Sequence, residues 1–215
     1  MKKFVEGIRQ FQQDVFPSQR RRFQRLASGQ QPLALLITCS DSRIDPTLLM
    51  QSEPGEIFVL RNAGNLVPPY GAVRGGEDAT IEYAVSVLNI QHVIVCGHSQ
   101  CGAMGGLLNP EAVNGLSSVR EWLARAETTR RLLLENYADV VDEAERLNLA
   151  VRLNVAAQLD SLRTHPCIAV ALDRNEMELH GWVYQFETGE VLQYAPRTRE
   201  FVVLGQAIAE PVVST

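Results

Sequence analysis

His92-Val93-Ile94-Val95-Cys96-Gly97-His98-Ser99-Gln100-Cys101-Gly102 reads as a buried strand running straight into a reactive loop. Its first half is apolar at consecutive positions, which suits a parallel strand covered on both faces. Two other runs share that character: Leu33 to Thr38, ending at Cys39, and Ile57 to Leu60. Between the second and third runs, Ile81, Ala84, Val85 and Leu88 give the segment Glu77 to Leu88 helical spacing. A helical stretch follows from Leu116 to Arg163, broken near Ala138 and Asp139. Ile168 to Leu172 is a further apolar run, and Cys167 is expected to open it as a strand. Leu179 to Phe186 and Val191 to Tyr194 flank Glu187-Thr188-Gly189-Glu190, the mark of a hairpin. Alternating strands and helices predict an α/β fold, a three-layer sandwich around a mainly parallel β-sheet with an antiparallel edge.

Upstream of this body, residues 1–29 read as two short amphipathic helices, with Ser18 capping the second and Gly29 stopping it. Phe4, Phe11, Phe16 and Phe23 give this arm apolar positions that must pack on the chain's own domain or on a partner subunit. The run Arg20-Arg21-Arg22 reads as a solvated helix face.

The bulk composition narrows the function classes. A chain of 215 residues can bury one ordinary core without staples. Its net charge of −5 argues against a nucleic-acid partner. No apolar run approaches a membrane span, and Met-Lys-Lys-Phe-Val-Glu lacks the apolar centre of a signal peptide, so a cytoplasmic location is expected. Four scattered cysteines do not make a disulfide framework, and Cys grouped with His points to a metal or catalysis.

In an open α/β sheet, chemistry collects at the carboxyl ends of the strands. There the first strand delivers Cys39-Ser40-Asp41-Ser42-Arg43, and the third delivers the loop from Cys96 to Gly102. Cys39, His98 and Cys101 supply three of the four ligands of tetrahedral zinc, leaving the open position that a catalytic site needs. Gly97 and Gly102 are expected to let the backbone turn sharply on either side. Two thiolates disfavour a hard, oxygen-seeking ion such as Mg²⁺. They also cancel the two charges of zinc, so its bound water acidifies less than at a three-histidine site, and activity is expected to favour alkaline pH. Arg43 can grip the Asp41 carboxylate bidentately, leaving it an acceptor that orients a zinc-bound hydroxide. If released, Asp41 is near enough in sequence to Cys39 to become the fourth ligand of a closed state.

These residues together resemble the β-class carbonic anhydrases, in the bacterial cyanate-operon-like and plant-like branches. The resemblance is carried by Cys-Ser-Asp-Ser-Arg at 39–43, Arg-Asn-Ala-Gly-Asn at 61–65, Glu-Tyr-Ala-Val at 82–85 and Gly-His-Ser-Gln-Cys-Gly-Ala at 97–103, and it extends to Leu-His-Gly-Trp-Val-Tyr at 179–184. It implies one zinc per subunit on Cys39, His98 and Cys101, an Asp41–Arg43 dyad, and reversible hydration of carbon dioxide to bicarbonate. It further implies a homodimer that can assemble into tetramers or octamers, with an arm of residues 1–30 embracing the partner and a catalytic domain over 31–215. Gln30, across the interface, and the backbone of Gly102 would bind substrate, while Phe58 and Tyr83 would wall an apolar pocket. Some members close on bicarbonate through a site built from Trp, Arg and Tyr. Arg61 and Tyr184 match it, but the Trp position is Leu36, so that shutdown is expected to be weak or absent.

Other readings of the same residues stand beside this one. Cys39, Cys96, His98 and Cys101 could form a closed structural Cys₃His zinc site. The centre could instead hydrolyse carbonyl sulfide or carbon disulfide, Cys96 and Cys101 could be a redox pair, or the chain could be a non-catalytic scaffold. Cys96 and Cys167 are expected to be inert buried thiols, Asp45 and Glu53 surface caps, and Gly75-Gly76 a helix start. Arg61 and Asn62 are expected to brace loops. His92, His165 and His180 are expected to be structural, with His180 fixing the hairpin.

Overall fold

Apolar side chains at consecutive positions make β1 (Ala34–Cys39) a strand buried throughout. It lies between β2 (Ile57–Asn62) and β3 (His92–His98), parallel to both, and β4 (Glu178–Tyr184) runs parallel beside β3. Across the expected hairpin, β5 (Val191–Ala195) returns antiparallel. The sheet order is β2-β1-β3-β4-β5-β6, closed at one edge by β6 (Glu200–Val203). That last strand was not expected, because four residues are too few to show a period. The computed structural model describes residues 1–72 and 75–205, so the last ten residues of the expected catalytic domain lie outside the described part.

The arm differs from expectation. α1 (Lys2–Gln10) and α2 (Phe16–Leu26) are joined into one rod by a π-helical turn, Phe11–Val15. Pro17 has no N–H to continue the regular ladder, which accounts for a widened turn just before it. Ser18 therefore caps nothing: it sits inside the rod, and its Oγ donates to the Val15 carbonyl at 2.7 Å. Gly29 does follow the helix end, with its N–H on the Leu26 carbonyl at 3.2 Å.

The remaining helices are α3 (Pro46–Met50), α4 (Gly76–Ser86), α5 (Gly102–Leu108), α6 (Ser117–Leu123), α7 (Glu127–Asn136), α8 (Glu143–Leu162) and α9 (Pro166–Asp173). Asp45 caps α3 through the N–H groups of Thr47 and Leu48, as expected, and Gly75-Gly76 begins α4. Glu53 is not a cap; it forms an ion pair with Arg22 of the arm. The Cys167 segment is a helix rather than a strand. Pro166 sits in its first turn, where a missing N–H costs nothing, and five apolar residues cannot distinguish helix from strand by periodicity.

The layers are unequal. Helices α4 to α9 cover one sheet face and share its large core, with Leu35, Ile37, Val93 and Val95 at the centre. The other face holds a small cluster, Ala34, Leu36, Ile44, Ile94 and Cys96, covered by Leu49 and Met50 of α3 and by Trp182, Tyr184 and Phe186. α8 lies directly on β3 and β4. A Cβ on Gly97 would stand 2.9 Å from Val155 Cγ2, and one on Gly181 would stand 2.9 Å from both Val155 Cγ1 and Leu159 Cδ1. Gly97 is thus required by close helix packing and not, as expected, by a turn. The left-handed turn of the metal loop falls on Gln100, at φ 55°.

Candidate metal centre

The register that pairs β1 with β3 brings their carboxyl ends side by side. There the donor atoms of Cys39, His98 and Cys101 lie within 4.8 Å of one another, all three residues buried. His98 Nδ1 is fixed by the Ser99 carbonyl at 2.8 Å, so Nε2 carries the lone pair. That Nε2 is buried and has no hydrogen-bond partner among the described residues. An orphaned imidazole nitrogen facing two sulfurs is a donor set for a soft or borderline cation, and the residues fit zinc.

The sulfurs agree. The Cys101 thiol, hydrogen-bonded to Cys39, pulls Cys39 down to about 4 against the opposing effect of burial, helped by His98 and by the N–H groups of Gly64 and Asp41. The same contact, with burial, pushes Cys101 well up. A second thiolate here needs a countercharge, which a dication supplies. Cys96 is different: burial pushes it up to about 12, and it belongs to the opposite core cluster from Cys39 and Cys101. The closed Cys₃His arrangement therefore does not form, nor does a redox pair; all four cysteines are free.

Beside the ligands, Arg43 Nε and Nη2 donate to Asp41 Oδ1 and Oδ2 at 3.0 and 2.7 Å, and the Arg43 N–H adds a bond to Oδ1 at 3.0 Å. This grip holds the Asp41 carboxyl well below the usual carboxylate range. Asp41 Oδ2 is 3.9 Å from His98 Nε2, at the edge of the ligand group. Arg43 is fixed in turn by the Gln100 carbonyl at 3.0 Å and by the Phe186 ring, 4.8 Å from its guanidinium carbon. Arg61 braces the first loop as expected, donating to the carbonyls of Cys39, Asp41 and Ile44 at 2.9, 2.7 and 3.0 Å. Asn62 does likewise for the next loop through reciprocal 2.8 Å bonds with Leu66.

Three residues at the site escaped the sequence reading. Ser99 Oγ donates to Glu187 Oε2 at 2.7 Å and accepts the Phe186 N–H at 2.9 Å, stapling the metal loop to the β4–β5 turn. Phe186 also packs on the His98 ring at 4.9 Å. These contacts join residues 87 or 88 apart in sequence, and no local signal announces them.

The expected substrate residues fall into two groups. Gly102 opens α5 directly after Cys101, and a Cβ there would meet nothing within 4 Å. Phe58 pairs with Leu35, four residues before Cys39, which puts it about 13 Å down the strand from the ligands. Tyr83 packs against Phe58 at 6.1 Å. Gln30 precedes β1, toward the opposite end of the sheet. One subunit therefore does not bring Gln30, Phe58 or Tyr83 to its own ligands. His165 is structural, with Nε2 3.1 Å from the Pro68 carbonyl. His180 does not fix the hairpin; it lies in the first half of β4 beside His92.

A thiolate–imidazole zinc centre at the carboxyl edge of a parallel sheet defines a class of zinc enzyme built on an α/β fold. The family comparison makes the assignment specific: residues 34–191 match the carbonic anhydrase family, and the chain belongs to its β class. A carbonic anhydrase of Synechococcus elongatus is 49% identical over 194 residues, covering 90% of this chain and 71% of that protein. One from Pseudomonas aeruginosa is 47% identical over 206 residues, covering 96% and 93%. The solved β-carbonic anhydrase CcaA superposes with a TM-score of 0.92 at 47% identity, over 94% of this chain and 98% of that one. A tetrameric β-carbonic anhydrase from Sordaria macrospora gives 0.79 at 31% identity, over 97% and 100%. The family's reaction is zinc-dependent hydration of carbon dioxide, and this chain carries the zinc site for it.

Proposed function

We propose that this carbonic anhydrase hydrates carbon dioxide reversibly through Asp41 and Arg43, acting beside zinc held by Cys39, His98 and Cys101. The observation that carries the reading is the bidentate clamp of Arg43 on Asp41, whose Oδ2 is kept within 3.9 Å of His98 Nε2. When bound, zinc supplies the Lewis acidity that ionises water near neutral to alkaline pH. Held ionised, Asp41 can only accept, so it would take a hydrogen bond from water at the site and leave an oxygen lone pair to face the substrate. Arg43 holds Asp41 beside, and not within, the ligand group, and the Phe186 ring and Gln100 carbonyl keep Arg43 in place. With Leu36 buried where some relatives have Trp, and Arg61 engaged by three carbonyls, the open state prevails in bicarbonate. The Gly102 N–H, at the first helical position, has no intrahelical partner and is free to meet substrate oxygen.

The pocket is completed by a second copy. The arm rod has no buried residue, and Phe4 is 67% exposed, so its apolar side is available to embrace a partner. In a two-fold dimer, Gln30, Phe58 and Tyr83 of one copy line the metal centre of the other, giving a neutral gas an apolar approach. Four free cysteines with no disulfide among them suit a reducing compartment, which supports a cytoplasmic location.

Stopped-flow hydration with zinc-loaded protein tests these roles. Cys101→Ser is expected to lose the metal together with the activity. Asp41→Asn keeps its zinc and loses about 10²-fold or more in kcat/KM. Full activity in a zinc-free preparation, or in Asp41→Asn, would overturn the proposal.

A further inference from the structure

At the opposite end of β3 from the catalytic ligands, a second group of metal-ligating side chains converges. The register sets His92 against Glu178 and Ile94 against His180, so His92, Glu178 and His180 project from one face of neighbouring strands. His92 Nδ1 and His180 Nε2 are 3.3 Å apart, and Glu178 Oε2 lies 3.8 Å from the first and 3.6 Å from the second. The two carboxylate separations are too long for hydrogen bonds. All three, however, approach the edge of a coordination tetrahedron, about 3.3–3.4 Å for metal–nitrogen or metal–oxygen bonds near 2.0–2.1 Å.

We propose that His92, Glu178 and His180 form a second, surface metal site for a borderline divalent cation such as Zn²⁺, Ni²⁺ or Cu²⁺. Two imidazoles and one carboxylate suit these ions better than Mg²⁺ or Ca²⁺. The site is separate from the catalytic zinc, because His98 lies six residues along β3 from His92, about 20 Å. A metal there ties β3 to β4 at their amino ends, adding to the contact that the His92 and His180 rings already make.

The chain has four histidines, which makes the test clean: His98 serves the catalytic centre and His165 is buried. Zinc-loaded enzyme is titrated with Ni²⁺ by calorimetry, and total metal is measured after removal of excess ion. Wild type is expected to bind one nickel per chain beyond its zinc, with a higher Tm. His92→Gln and Glu178→Gln, both at exposed positions, and His180→Gln are expected to weaken nickel binding at least tenfold and abolish the Tm rise, with zinc content and hydration rate unchanged. No second metal in wild type, or nickel binding that the His92→Gln and Glu178→Gln variants leave intact, would overturn the proposal.

Discussion

Asp41 owes its chemistry to one neighbour. Arg43 lowers its carboxyl pKa chiefly through their hydrogen bonds, so the carboxylate stays an acceptor across the working pH range. A group whose folded pKa lies below its unfolded value contributes stability that is fully present above the unfolded pKa, about 4, and lost as pH falls through the folded one. Replacing Arg43 by Met is expected to return the Asp41 titration, followed by carboxyl NMR, toward about 3.9. An unchanged, depressed titration would show that Arg43 is not the cause. The motif 39–43 made this pair legible, since two residues of a tight loop can meet only each other's side. The Ser99–Glu187 bond and the packing of Phe186 against both Arg43 and His98 were not legible, because the partners meet only after β3 and β4 pair.

Among the elements, α8 has the widest reach. Its Val155 and Leu159 occupy the space that side chains at Gly97 and Gly181 would need, so the helix rests on bare backbone beside the metal strand. Farther along its face, Asn154 Nδ2 donates to the Gly64 carbonyl at 2.9 Å, and Gln158 Oε1 accepts the Val67 N–H at 2.7 Å. Through Gly64, whose N–H points at Cys39 Sγ from 3.4 Å, the helix supports a zinc ligand. Gly181→Ala is therefore expected to cost about 1–3 kcal/mol in denaturant unfolding, and Val155→Ala in the same chain should recover part of it. A neutral Gly181→Ala would mean that α8 can shift without loss. The sequence pattern located α8 but could not show which side rests on the sheet, since that depends on glycines nearly sixty and some twenty residues away.

For the whole molecule, the proposed sharing of sites across a two-fold dimer makes a specific expectation. In an Asp41→Asn and Tyr83→Ala mixture refolded together, half the dimers are mixed. Each mixed dimer holds one site with intact Asp41 and an intact partner Tyr83, so about a quarter of wild-type activity should return. No gain over the separately refolded variants would place Tyr83 at its own subunit's site or nowhere near one.

What sequence alone determined is the chemistry and the order of parts: apolar runs that become parallel strands, and Cys39, Asp41, Arg43, His98 and Cys101 at the ends of two of them. Those features are local, encoded by residue type and short spacing. Only the tertiary structure decided that the Cys167 segment is a helix, that Gly97 answers to packing, and that Cys96 turns away from the metal. It likewise drew His92, Glu178 and His180 together and left Phe58 and Tyr83 far from their own zinc ligands. Each of these depends on which strand lies beside which, and a contact between distant residues has no trace in the short-range pattern of either partner.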